Sequence, residues 1–154
     1  MAGRPARRSR RLRALAALSL VVASGCGGGG TDTSVFRMRP GDCFDDPRPG
    51  RQLDQVDVTP CDQPHDNEVF GTVEHPATAE VPFPGHDAIV AHAEQACPAP
   101  FAEYVGMAYD QSRFSLFPIV PSAESWVKGD RQIICALYDN EAGKITGSVR
   151  GTAR

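Results

Sequence analysis

The chain carries five cysteines, at positions 26, 43, 61, 97 and 135, and their fate limits its fold more than any other feature. Cys26 stands apart, just after an apolar run. The other four are spread over the body of the chain with no C-x-x-C among them, which removes the main support for zinc-finger and thioredoxin-like readings. If the domain is exported, an even set of widely spaced cysteines implies two disulfides, and four thiols allow three pairings.

Local patterns choose among the pairings. Residues 35–44, VFRMRPGDCF, alternate apolar and basic before a Pro-Gly-Asp turn and predict an edge strand. DDPRPGRQLDQ reads as a loop, and Val56 and Val58 mark a second strand ahead of Pro60 and Cys61. Those two strands can lie side by side with Cys43 and Cys61 closing the loop between them. EVFGTVEH alternates again and places Val69, Gly71 and Val73 on one face.

From His86 the period becomes helical, with Ile89, Ala93, Ala96 and Cys97 on one stripe. Pro98 and Pro100 interrupt that helix, and Pro100 can open a further turn. RQIICALYD is apolar on both faces, as a central strand should be. Its Cys135 shares a face with Ile133 and Leu137 and points at the helix that carries Cys97. The expected pairs are therefore Cys43–Cys61 and Cys97–Cys135. NEAGK then turns the chain, and Ile145, Gly147 and Val149 are expected to return as a hairpin partner. SRFSLFPIVPSAESWVKGD reads as an irregular cover strand and turn, with Phe114, Phe117 and Trp126 packing on the sheet. The fold class that follows is α+β: a small antiparallel sheet of four or five strands, one main helix packed across it, and two disulfides.

The charge distribution separates the start of the chain from its body. Six arginines and no acid precede Cys26, whereas ten bases face nineteen acids in the remainder. An acidic body argues against a nucleic-acid partner, since phosphate neutralisation supplies most of such affinity. The basic stretch, the apolar run ALAALSLVVA and the small residues after it have the order of an export signal. Ten apolar residues rise only about 15 Å as a helix, half a bilayer, so they do not make a spanning anchor. ASGC, residues 23–26, looks like a bacterial lipobox, in which Cys26 becomes the lipidated N-terminus. SRRLRAL resembles a twin-arginine signal as well, and leaves the export route open. The expected organisation is a lipoprotein signal over 1–25, Cys26 and a Gly-rich tether over 26–34, and an extracytoplasmic domain over 35–154. The tether spans roughly 16 Å, enough to lift the domain off a membrane surface.

The densest group of chemically capable residues is CDQPHDNEVF, residues 61–70. His65, Asp66 and Glu68, with His75 nearby, are the residues on which a metal-dependent or wall-active enzyme would be built. However, neither H-E-x-x-H nor EF-hand spacing occurs. His86 and His92 are six apart and fall on different helix faces. The alternative is a turn shaped by Pro64 and Asp66 and pinned by an oxidised Cys61, and that reading is favoured. SWVK, residues 125–128, fits S-x-x-K, and KITG, residues 144–147, is one residue from K-T-G; without S-D-N they do not make a penicillin-recognising site. Trp126, Lys128, Asp130 and Arg131 could line a ligand edge, but read more simply as a turn feeding the central strand. No serine-hydrolase elbow, phosphate loop or dinucleotide fingerprint is present.

Taken in order, GDCF, PCDQPHDNEVFGTV, FPG, AxxxCxxxF, W..GDRQIIC and a closing GS resemble the septum-formation family of exported domains, over about residues 41–151. The resemblance implies a source among high-GC Gram-positive bacteria and an association with the envelope and septum. FPG stands where YPG is more familiar. The four cysteines match the family's positions, and the resemblance carries no catalytic residues, metal or cofactor.

The expectation is thus a non-enzymatic envelope lipoprotein with a binding or assembly domain, its partners the membrane through the lipid anchor and envelope or division proteins. The alternatives are the enzyme built on His65, Asp66, Glu68 and His75, or an accessory ligand-binding lipoprotein of a transporter. One small domain leaves little room for the cleft the last would need.

Overall fold

Residues 31–47 and 55–154 are described by the structure, a computed structural model. The signal, Cys26 with its glycines, and most of the 45–55 loop lie outside the described residues.

Among the described residues six strands form one antiparallel sheet: β1 (Thr31–Ser34), β2 (Cys43–Asp45), β3 (Gln55–Thr59), β4 (Asn67–Glu74), β5 (Phe114–Ile119) and β6 (Gln132–Asp139). Their order across the sheet is β1-β3-β2-β4-β6-β5. Three helices accompany them: α1 (His86–Ala96), α2 (Pro98–Val105) and α3 (Ala123–Val127). The α+β class, the antiparallel sheet and both disulfides are as expected. The sheet gains a strand because Thr31–Ser34 pair along β3, from Thr31 against Val58 to Ser34 against Gln55. In VFRMRPGDCF only the last residues are strand. Val35–Arg37 wind into a 3-10 turn, closed by Met38 N–H donating to Val35 C=O, which lays the Val35 and Met38 side chains on the sheet.

The sheet is buried on both faces. Ile133, Cys135 and Leu137 of β6 join the core under the helices, with Phe70, Ile89, Ala93, Phe101, Phe114 and Trp126 among their neighbours. Ile134 and Ala136 join a smaller core on the other face, with Val35, Met38, Phe44, Val56 and Val69. Phe114 lies on the helix face, while Phe117 points the other way, 6.4 Å from the Phe44 ring and 36% exposed at the sheet edge. FSLFPI is a regular edge strand rather than an irregular cover, paired with β6 from Phe114 to Ile119. An edge tolerates Pro118 because the strand's outer side needs no ladder donor.

Two further expectations fail for identifiable reasons. A register shift in β4 between Val69 and Gly71 inserts an extra residue, so Val69 faces the smaller core while Phe70 and Val73 face the helices. Val69, Gly71 and Val73 therefore do not share a face. The return strand at Ile145–Val149 does not form either. β6 is already paired with β4 on one side and β5 on the other, so it has no edge to offer. After an isolated bridge between Asp139 and Gly143, the chain crosses to the start of β4, where Ile145 bridges His65.

Cys97 ends α1 and starts α2 at once, donating its N–H to Ala93 C=O and accepting from Phe101 N–H. Pro98 opens α2 where a first-turn residue has no intrahelical donor to lose. This sharp junction brings α2 onto β4. A side chain on Gly71 would place its Cβ 2.8 Å from Pro100 Cβ, so glycine is what permits the contact.

Cys43–Cys61 closes a separation of 18 residues, and Cys97–Cys135 one of 38. Restriction of the unfolded chain alone amounts to about 3 and about 4 kcal/mol respectively.

Candidate functional site

The segment after β3 turns at once, with Gln63 N–H donating to Pro60 C=O at 2.9 Å. Two ties hold that turn. One is the disulfide to Cys43 at the start of β2. The other is the C-terminal segment: His65 and Ile145 exchange backbone bonds of 2.9 and 2.8 Å, and Gly147 N–H donates to Cys61 C=O at 2.7 Å. CDQPHDNEVF is thus a turn pinned by a cysteine, and the pinning sends its side chains in different directions.

His65 and Glu68 go inward, both fully buried. His65 Nδ1 lies 2.8 Å from the Gln63 carbonyl oxygen. Glu68 is a hub: Oε1 accepts from the Tyr104 hydroxyl at 2.6 Å and the Ser148 hydroxyl at 2.5 Å, and Oε2 accepts from Val149 N–H at 2.9 Å. Burial, and then the bond to Glu68, raise the Tyr104 phenol above its ordinary pKa, so it remains a donor. Arg150 stacks on the Tyr104 ring, 4.6 Å from its centroid. These contacts sew α2 and the C-terminal segment to β4. One potential ligand atom each from Cys43, His65 and Glu68 lies within 4.8 Å of the other two, with Cys43 held in its disulfide.

Asp66 goes outward. Lys144 Nζ bridges Asp66 at 2.9 Å and Asp45 at 2.7 Å, and Asp66 also accepts from Asp46 N–H. Burial acts to raise Asp66, but the bonds from Lys144 and Asp46 outweigh it and hold the carboxyl below its ordinary pKa. Burial likewise acts to lower Lys144, and the two aspartates carry it above the ordinary lysine value. Beside this bridge an open groove of about 450 Å³ runs along the sheet end, with Asp46, Asn67, Phe117, Tyr138 and Asn140 on its walls. Asn67 is fixed there by donating to Asp46 at 2.7 Å.

His75 lies in a third place, at the far end of β4. Its ring meets His92 of α1 at 4.8 Å and Trp126 at 5.1 Å, centroid to centroid. Its Nδ1 accepts Ala77 N–H at 3.2 Å, which requires a lone pair on Nδ1. Burial, then the charges of His92 and Arg131, hold His75 below the ordinary histidine pKa. Of the four residues on which a metal-dependent enzyme would be built, the structure brings only His65 and Glu68 together.

Arg131 lies over the Trp126 ring, its guanidinium carbon 3.6 Å from the ring centroid, and donates to the carbonyls of Ala77, Thr78, Trp126 and Asp130. Trp126 Nε1–H donates to Val81 C=O at 2.8 Å. Both are committed to tying the 75–81 segment to the β6 entry, not to a ligand edge. Ser125 of SWVK sits in a capping box with Ser122 at the start of α3, and Lys128 pairs with Glu124 at 2.7 Å. Lys144 of KITG is the Asp45–Asp66 bridge.

Tyr104 and Ser148 are site residues that the sequence does not announce. The one signal is Glu68 itself, an acid at the head of an apolar strand, which must find donors if buried. Among the described residues no helix is long and apolar enough to cross a membrane.

No curated protein and no solved structure matches the chain. The family model for septum formation matches residues 40–154, a span that takes in both disulfides, the pinned turn, the Glu68 hub and the Arg131 clamp. The chain belongs to the septum-formation family.

Proposed function

We propose that this chain is a lipid-anchored envelope protein whose domain binds or assembles other components at the division site, without catalysing a reaction. Family membership gives it a role in septum formation or cell division, and that observation carries the reading. Anchoring through Cys26 follows from the ASGC motif behind a short apolar run. The non-enzymatic reading rests on how the reactive side chains are used. Glu68 accepts three hydrogen bonds, Ser125 caps a helix, Lys128 and Lys144 are ion-paired, and the four body cysteines are bridged. Glu68, Lys144 and the two disulfides each hold two segments together, and Ser125 and Lys128 are engaged within α3 and its cap.

The test is localisation with a phenotype. A fluorescent fusion should concentrate at septa, deletion should give misplaced or incomplete septa, and Cys26→Ser should release the protein from the membrane fraction. An even distribution around the cell with normal septa in the deletion strain would defeat the division role. Retention of Cys26→Ser in the membrane fraction would defeat the lipid anchor.

A further inference from the structure

We propose that the Cys43–Cys61 turn has a second chemical state: once its disulfide is reduced, it binds one zinc-class divalent ion through Cys43 Sγ, Cys61 Sγ, His65 Nε2 and a Glu68 carboxylate oxygen. This goes beyond the septal reading and does not depend on it.

The donor geometry is nearly in place. Ligand atoms of Cys43, His65 and Glu68 lie within 4.8 Å of one another. Tetrahedral zinc with bonds of 2.0–2.3 Å sets its ligands roughly 3.3–3.8 Å apart, so the pocket has to contract by about 1–1.5 Å. Cys61 supplies the fourth donor from the same place, its Cα 5.3 Å from that of Cys43.

His65 is prepared for the role. Its Nδ1 faces the Gln63 carbonyl at 2.8 Å, and a carbonyl only accepts, so the proton sits on Nδ1. That leaves the lone pair on Nε2, which is fully buried with no hydrogen-bond partner. A backbone carbonyl fixing the tautomer behind a free Nε2 is how proteins orient metal-binding imidazoles. Glu68 is oriented similarly. Its Oε1 is taken by the Tyr104 and Ser148 hydroxyls, whereas Oε2 takes only Val149 N–H and keeps a free lone pair.

The disulfide acts as the gate. While it is intact, its sulfurs are neutral and poor donors, and only two effective ligands remain. A dithiol, small or protein-borne, can open it: the dithiol is oxidised to its own disulfide, and its two electrons and two protons pass to Cys43 and Cys61. The ion then displaces those two protons to solvent and is held by two thiolates, an imidazole and a carboxylate, a set soft enough to select zinc over calcium or magnesium. Cys61 is partly exposed, whereas Cys43, Cys97 and Cys135 are each 1% exposed, so attack falls on this bridge first. The ion and the disulfide exclude one another.

The test uses the full chain, opened with a phosphine reductant under anaerobic conditions and titrated with Co(II), a spectroscopic stand-in for zinc. The reduced protein should take up one ion per chain with tetrahedral visible bands and a thiolate charge-transfer band, both discharged by zinc. The oxidised protein should take up none. His65→Gln and Cys61→Ser should each weaken binding by at least about tenfold. Should either variant fail to fold, the wild-type imidazole ¹⁵N spectrum decides: zinc should shift His65 Nε2 while Nδ1 keeps its proton. No uptake after reduction, unchanged affinity and spectrum in His65→Gln, or an unmoved Nε2 resonance would each overturn the proposal.

Discussion

The Tyr104 hydroxyl donates a 2.6 Å hydrogen bond to Glu68, 36 residues earlier in the chain, and neither group is open to solvent. This contact is the centre of the polar interior. Glu68 Cα pairs with Cys43 in β2 and with Leu137 in β6, so the carboxylate sits where the disulfide, the central strand and α2 converge. A buried carboxylate is tolerable there because three donors meet it.

Tyr104→Phe removes one of those donors and leaves the ring. The expected cost is about 1–3 kcal/mol, because the loss leaves a buried acceptor short of a partner. Ser148→Ala should cost less, since Ser148 is nearer the surface. Urea denaturation of the two single variants and the double variant checks this. The double variant should lose more than the sum of the singles, because only then does Oε1 lose every donor.

Gly71 is required by contact rather than by backbone conformation. Gly71→Ala drives a Cβ to 2.8 Å from Pro100 Cβ, and neither the strand nor the proline can yield freely. Overpacking of this kind costs about 1–3 kcal/mol. The thermal midpoint should fall accordingly. Thr72→Ala, one residue along on an exposed position, should leave it nearly unchanged.

Much of this fold is legible in the sequence, and the failures share one cause. Val56 with Val58, the stripe from Ile89 to Cys97, and the two apolar faces of β6 follow from local periodicity, and periodicity was enough to pair the cysteines correctly. What local pattern does not carry is competition between segments. Ile145, Gly147 and Val149 alternate like a strand, but β5 already occupies the edge of β6 that they would need. Val69 alternates in step with Val73 until a bulge changes the phase between them. The site follows the same rule. His65 and Glu68 stand out as chemically capable, but Tyr104 and Ser148 lie 36 and 80 residues from the carboxylate they serve. Asp66 and His75 look like companions of His65 in sequence and lie elsewhere in space.

His75 makes stability depend on pH. Its Nδ1 must stay unprotonated to accept Ala77 N–H, and burial, then His92 and Arg131, hold its pKa below the ordinary value of 6.5. Above 6.5 both folded and unfolded states hold a neutral ring, so this group gives no slope. Below 6.5 the unfolded chain takes up the proton first, and stability falls until the lower folded pKa is passed. His75→Asn keeps an acceptor for Ala77 but does not titrate. Urea midpoints measured from pH 7.5 to 5.0 should fall less steeply in the variant than in the wild type, and parallel curves would exclude His75 as the source.

Arg131 tests whether the Trp126 clamp depends on charge or on shape. The guanidinium reaches four carbonyls while lying over the indole, and those acceptors belong to the 77–78 segment, the end of α3 and the entry to β6. Lysine keeps the positive charge but has three donors on a tetrahedral head, no planar face to stack, and a different reach. Arg131→Lys should therefore lose most of the clamp, at a cost of about 2–3 kcal/mol from unpaired carbonyls and lost stacking. Loosening should be local to that end of the sheet. Hydrogen exchange should speed up at His75, whose N–H donates to Arg131 C=O, and at Ala77. The amides of His65 and Ile145, at the opposite end of β4, should keep their protection. Uniform loss of protection at both ends would mean that the clamp supports the whole domain rather than one corner of it.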